Sequence, residues 1–314
     1  MKRVAYLNGK FLSYQKAVIP IGTHALQYGS GCFEGIRAYW NAEKKKLYVF
    51  RLKDHFERLG RSCKTLHMKL PLTTEALVKL TVELLAKNKH RENVYIRPFV
   101  YKTSDIVSVF NLDRLENGFG IYTVPLGSIL NVKEGINAVF SSWRRVDSHT
   151  VPPGAKPTGI YLNTSLAKTE AEEKGADEAI LLNLDDSIAE GSAENLFIVK
   201  SGKLITPSID QNILEGITRN TVIELAEKEL NIRTAQRKVQ KDELWTCDEI
   251  ILTGTGMEIA PVVKIEDRAV GSGKVGPITQ KLQGLYSNIV HGKDKRYLKW
   301  LTEVNCLPSP AHNC

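Results

Sequence analysis

Apolar residues recur along this chain at two spacings, and the alternation of those spacings sketches a mixed α/β protein. From Ala5 to Leu12 the pattern predicts a strand, an Asn8-Gly9 turn and a second strand, the signature of a hairpin. Residues 46–51 read as a further strand. Apolar residues at Phe56, Leu59 and Cys63 then follow helical spacing, with Asp54 placed to cap the helix. A second helix is expected over residues 73–87. Residues 93–101 alternate, which would send Tyr95, Arg97 and Phe99 to one face of a strand. Residues 103–118 show no periodicity and read as a long loop, residues 120–124 as a strand, and residues 125–132 as an interdomain linker.

Beyond the linker the alternation is more regular. Strands are expected at residues 136–142, 178–183, 195–200 and 204–206, with Ser201-Gly202 as a hairpin turn. Helices are expected at residues 162–174, closed by Gly175, and at 218–228. The apolar run Glu249 to Leu252 leads directly into Thr253-Gly254-Thr255-Gly256. The boundaries implied are a small α+β domain at 1–124, a connecting loop at 125–132 and a larger α/β domain at 133–314.

Composition narrows the class. With 314 residues, 42% hydrophobic and 25% charged, two soluble domains are the expectation. No apolar run reaches the roughly 18 residues of a membrane span, and the first residues lack a signal peptide's apolar core, so a cytoplasmic location is expected. The five cysteines, Cys32, Cys63, Cys247, Cys306 and Cys314, are scattered and form no CxxC pair. That argues against a metal site and a disulfide framework, and for buried or incidental thiols. The net charge of +8 comes from lysines and arginines largely interleaved with acids, so no nucleic-acid face emerges. Anionic small molecules suit such a chain equally well.

Four segments could carry chemistry. Lys156, five residues before Tyr161, could hold a carbonyl cofactor covalently if burial lowered its basicity. Glu190, beside Gly191 and near Glu194, could face a ring nitrogen, although taken alone it reads first as part of a polar turn. Gly216-Ile217-Thr218-Arg219 opens a helix whose N-terminal amides suit a phosphate. Thr253-Gly254-Thr255-Gly256 could form a second anion nest after a buried strand.

Read together with Tyr28 through Tyr39 (containing Phe33-Glu34-Gly35-Ile36-Arg37), Tyr95-Ile96-Arg97-Pro98, and Glu190 through Phe197, these segments resemble a class IV aminotransferase. The likeness is strongest to bacterial branched-chain-amino-acid aminotransferases and runs in order from about residue 5 to about residue 300. It implies the fold of D-amino-acid aminotransferase, known as fold type IV, and pyridoxal 5'-phosphate as cofactor.

The resemblance also implies roles. Lys156 would carry the cofactor and move the proton, Tyr161 would bond its phenolic oxygen, and Glu190 would pair with its ring nitrogen. Arg58, Leu214, Ile217, Thr218, Gly254 and Thr255 would complete the cofactor site. Tyr28, Phe33, Gly35, Arg37, Tyr95, Arg97, Thr255 and Gly256 would take the substrate, with the amides of Thr255 and Gly256 on its α-carboxylate. Arg97 offers a two-pronged partner to the γ-carboxylate of 2-oxoglutarate. The expected reaction is transfer of the amino group of leucine, isoleucine or valine to 2-oxoglutarate by a homodimer or higher homo-oligomer. Loop 103–118 departs from the family's glycine-rich loop, and Leu126 stands where a tryptophan is common. Those departures leave open a wider range that includes (R)-primary amines. The rivals within the fold are a D-amino-acid aminotransferase and a 4-amino-4-deoxychorismate lyase.

Overall fold

In a computed structural model, residues 3–127, 132 and 134–305 are described. They divide into two compact units, one drawn from residues 3–127, 155–159 and 287–305 and the other from 132–154 and 160–286. The unit boundary thus departs from the contiguous domains expected at 1–124 and 133–314. Most of the expected linker at 125–132 lies outside the described residues, as do Cys306 and Cys314.

The first unit begins with the hairpin. Strands β1 (Val4–Leu7) and β2 (Lys10–Ser13) pair antiparallel with Leu7 opposite Lys10. Asn8 and Gly9 both take positive φ, 44° and 90°, as this tight turn demands. A short helix α1 (His24–Tyr28), strands β3 (Gly31–Phe33), β4 (Ile36–Asn41) and β5 (Lys46–Phe50), and helices α2 (Leu52–Thr65) and α3 (Thr74–Asn88) follow. Strands β6 (Val94–Lys102) and β7 (Asn117–Pro125) complete the first run. The chain's last described strand, Leu301–Asn305, closes the sheet by pairing antiparallel with β5. Its side chains give no sequence signal of that distant partner, which is why the C-terminus was expected in the other domain.

Helices α2 and α3 lie over this sheet because their apolar stripes meet it. Leu52, Phe56, Leu59, Leu77, Leu84 and Leu85 join Ile36, Val49, Val94, Ile96 and Val100 in one buried cluster. Each such side chain contributes about 1.5–3 kcal/mol by leaving water. Helix α2 starts two residues before Asp54, and Asp54 does not cap it. The cap position is Arg51, held in the left-handed region, and Asp54 instead accepts from Arg51 Nη1 at 3.0 Å. Residues 103–118 are less bare than expected: Leu112–Arg114 form one helical turn and β7 begins at Asn117.

The second unit holds the larger sheet. Its elements are β8 (Ile136–Arg144), α4 (Tyr161–Glu173), β9 (Glu178–Leu182), β10 (Ile188–Gly191), β11 (Asn195–Lys200) and β12 (Lys203–Thr206). They continue with α5 (Ile217–Leu230), β13 (Thr234–Gln236), β14 (Glu249–Gly254), β15 (Glu258–Ile265), β16 (Arg268–Ala269) and helix α6 (Pro277–Val290). The sheet runs β10-β9-β8-β15-β14-β11-β12-β13, with β16 on β15. Strands buried on both faces, such as β9 and β11, read as continuous apolar runs. Strand β10 escaped the sequence reading: Glu190 lies on it and not in a turn. Among the described residues, no helix is long and apolar enough to cross a membrane.

Candidate active site

In the first unit, β3 and β6 set out one cluster. Alternation along β6 buries Val94 and Ile96 under the helices and leaves Tyr95, Arg97 and Phe99 half-buried on the opposite face. There the Arg97 guanidinium sits 4.2 Å from the Phe33 ring centre and 5.1 Å from that of Tyr95, and Nη2 donates to the Tyr95 hydroxyl at 2.9 Å. Gly35 is required by this arrangement, since a Cβ there would lie 2.2 Å from Tyr95 Oη. Lys156 joins the same cluster, its Nζ 5.4 Å from the Phe33 ring centre.

The Lys156 segment is seated by two elements of this unit. The Phe33 N–H donates to the Lys156 carbonyl at 3.2 Å, and Cys32 bridges to Pro157. The Lys156 N–H donates to Ser62 Oγ of α2 at 3.2 Å.

Arg58 is buried beside them and is gripped by a residue the sequence reading gave no role. Its Nε donates to Glu34 Oε1 and its Nη2 to Glu34 Oε2, both at 2.7 Å, and His55 Nδ1 donates to Oε2 at 2.7 Å. Burial pushes the Glu34 carboxyl up, but the Arg58 guanidinium and the His55 hydrogen bond outweigh it and hold the carboxyl below its usual range. Burial in turn lowers the His55 imidazole below its ordinary range, against the raising effect of Glu34.

Two further candidates of this unit have contacts of their own. Arg37 Nη2 donates to the carbonyls of Gly127 at 2.6 Å and Leu126 at 3.4 Å. Tyr28 is 41% exposed and packs edge-on against Phe110, ring centres 5.3 Å apart.

In the second unit, Glu190 is the organising group. The register of β10 against β9 slips by one residue between Ile188 and Glu190. The Glu190 carboxylate then receives Arg145 Nη2 on Oε1 at 2.9 Å, and Asn195 Nδ2 and the Leu214 N–H on Oε2 at 2.9 and 3.1 Å. Both ionic partners are about 5% exposed. Arg145 also donates through Nε to the Asn212 carbonyl at 3.0 Å. Sequence reasoning missed Arg145, because nothing in the pair Arg144-Arg145 says which guanidinium turns inward.

Asn195 also donates to the Leu214 carbonyl at 2.8 Å and lies so close to Gly216 that a Cβ there would be 2.0 Å from Oδ1. Gly216 precedes α5, and no side chain caps that helix. Ile217 and Thr218, its first two residues, are buried. A fourteen-residue helix beginning without a side-chain cap presents amides and a positive dipole end suited to a phosphate. At the end of β14, Thr253 is buried and its hydroxyl has no hydrogen-bond partner among the described residues. Gly254, Thr255 and Gly256 follow, half-buried. Tyr161 begins α4 and is half-buried.

Within the second unit, an uncapped helix start, a partnerless buried hydroxyl and a fixed buried carboxylate suit a cofactor with an anionic phosphate and a basic ring nitrogen. No group of three His, Cys, Asp or Glu that could hold a metal occurs among the described residues.

Comparison with known proteins decides the family. The family model for "amino-transferase class IV" matches residues 31–265. This chain belongs to the class IV aminotransferases. A relative from Aquifex aeolicus (strain VF5), called a probable branched-chain-amino-acid aminotransferase, is 48% identical to this aminotransferase over 300 residues, 96% of each chain. Among solved structures, the branched-chain aminotransferase from Thermoproteus uzoniensis with norvaline superposes on the aminotransferase with a TM-score of 0.91. That pair is 44% identical, covering 96% of this chain and 98% of the other. The branched-chain amino acid aminotransferase from Thermobaculum terrenum in PLP-form (holo-form) gives a TM-score of 0.91 at 35% identity, covering 96% and 98%. The fold type IV expectation from the sequence is thereby met.

Proposed function

We propose that this aminotransferase moves the amino group of L-leucine, L-isoleucine or L-valine to 2-oxoglutarate, with pyridoxal 5'-phosphate as its resident cofactor. The observation that carries the reading is the Phe33–Tyr95–Arg97 cluster beside Lys156. An apolar wall there suits a branched side chain. Arg97 Nε is buried and has no hydrogen-bond partner among the described residues, which suits a second substrate bearing a γ-carboxylate.

When bound, the cofactor holds the amino group and draws electrons from the substrate Cα. Lys156 would anchor it covalently and, once free, its Nζ would serve as the general base and acid that moves the substrate's Cα proton. Glu190, paired with Arg145, would face the ring nitrogen and favour its protonated form. Tyr161 donates to the phenolic oxygen. Arg58, Ile217, Thr218 and Thr255 hold the phosphate, with Leu214 and Gly254 completing the cofactor's surroundings. The Thr255 and Gly256 amides receive the substrate α-carboxylate. Tyr28 and Phe33 line the apolar side-chain pocket, with Gly35 and Arg37 at its edge.

The proposal includes a cytoplasmic homodimer. Support comes from the first unit, where Val18, Ile21, Leu26, Val107 and Phe110 are all more than 60% exposed. Thr23 and Asp105 bridge the two segments that carry them, which favours a shared apolar surface. Light scattering at micromolar concentration should give twice the mass of one chain, and a monomer would contradict this part.

Borohydride reduction of the yellow protein should fix the cofactor onto Lys156 and leave every other lysine unmodified, as read by peptide mass. A colourless protein after cofactor addition, or an adduct elsewhere, would overturn the residue assignment.

A further inference from the structure

Cys32 on β3 and Cys63 in the last turn of α2 stand apart in sequence but touch in the first unit. Their Sγ atoms lie 3.6 Å apart, both side chains are buried (0% and 2% exposed), and Met68 Sδ lies 3.9 Å from Cys32. Both residues adjoin the seat of Lys156. Cys32 bridges to Pro157 and precedes Phe33, whose N–H holds the Lys156 carbonyl; Cys63 follows Ser62, whose hydroxyl holds the Lys156 N–H. We propose that Cys32 and Cys63 are a reversible disulfide site, whose closure ties β3 to α2 across the two supports of the Lys156 segment. This inference stands apart from the proposed function and survives its failure.

A disulfide needs its sulfurs about 2.0 Å apart, so the pair must approach by roughly 1.5 Å. The oxidant is a low-molecular-weight disulfide. The Cys63 thiolate attacks one of its sulfurs, giving a mixed disulfide and releasing one small thiolate. The Cys32 thiolate then attacks Cys63 Sγ, the Cys32–Cys63 bond forms, and the second small thiolate leaves. The two cysteines lose two protons and two electrons in total, and the small disulfide is reduced to two thiols.

The hydrogen bond with Cys63, and then burial, push the Cys32 thiol far above its ordinary range. Exchange in the closed native state is therefore slow, and the bond forms when the core opens or as the chain folds. Once closed, it links residues 31 positions apart and restricts the unfolded chain.

The full-length protein is heated to just below its Tm and cooled with oxidised glutathione or with dithiothreitol, then alkylated and digested with trypsin without reduction. Oxidation should join the peptide Ala17 to Arg37 with the tripeptide Ser62 to Lys64, and raise Tm by about 5–10 °C. Dithiothreitol should reverse both changes. Cys247→Ala should retain them, and Cys63→Ala should lose them. Where Cys63→Ala fails to fold, the wild-type peptide map decides alone. Alkylated Cys32 and Cys63 after oxidation would overturn the proposal, and so would a joined peptide without a rise in Tm.

Discussion

At Glu190, a single carboxylate in the second unit is fixed by three donors before any ligand arrives. Arg145 matters most among them, because it supplies the only full charge of the three. Replacing it by Met strands a buried carboxylate, and breaking such a pair costs about 3–5 kcal/mol. Arg145→Met should therefore lower the Tm of the cofactor-free protein strongly, while bound cofactor, whose protonated ring nitrogen replaces the lost cation, restores part of the loss. Equal losses with and without cofactor would show that Arg145 is structural only. Glu194 behaves oppositely. Burial first, then the neighbouring Glu178 carboxylate, push its carboxyl from 4.5 up to about 8. The folded state thus binds an extra proton between those values, so the contribution of Glu194 is fully present below about pH 4.5 and is lost as pH rises toward 8, by up to about 1.4 kcal/mol per unit. Glu194→Gln should flatten the fall in Tm between pH 6 and 8; an unchanged slope would exclude Glu194 as its source.

Elements explain why those residues stand where they do, and which of them sequence could reveal. The alternation of β6 was legible, so Tyr95 and Arg97 were placed on one face correctly. The start of α5 was legible too, because Gly-Ile-Thr opens an apolar-periodic run. Strand β10 was not: its four residues, Ile188-Ala189-Glu190-Gly191, are too short and mixed to show a period, and the register slip at Glu190 has no local signature. Arg58 was found only as a motif member, and its grip by Glu34 depends on α2 meeting the turn after β3. Two glycines test the elements. Gly35→Ala would drive Tyr95 Oη off its bond with Arg97, so KM for 2-oxoglutarate should rise about tenfold or more, roughly 1.4 kcal/mol, with less effect on leucine. Equal effects on both substrates would contradict the role given to Arg97. Gly216→Ala would press on Asn195, and through it on Glu190 and the start of α5, so cofactor affinity should drop about tenfold in a fluorescence titration.

For the whole molecule, family membership rests on nearly the full chain, and the sequence carried that much plainly. The partition into units did not show in the sequence. Residues 155–159 return to the first unit through the Cys32–Pro157 bridge, and the C-terminal strand returns through β5; both are long-range pairings that local patterning does not encode. The proposed donor and acceptor are tested most directly by a panel of amino donors. Purified protein with pyridoxal 5'-phosphate is given L-leucine, L-valine, D-alanine or (R)-1-phenylethylamine, with 2-oxoglutarate or pyruvate as acceptor, and the new amino acid is quantified. Glutamate formed fastest from L-leucine and L-valine, dependent on 2-oxoglutarate and abolished in Lys156→Ala, is the expected result. Faster transfer from D-alanine or the (R)-amine, or turnover that persists in Lys156→Ala, would contradict it.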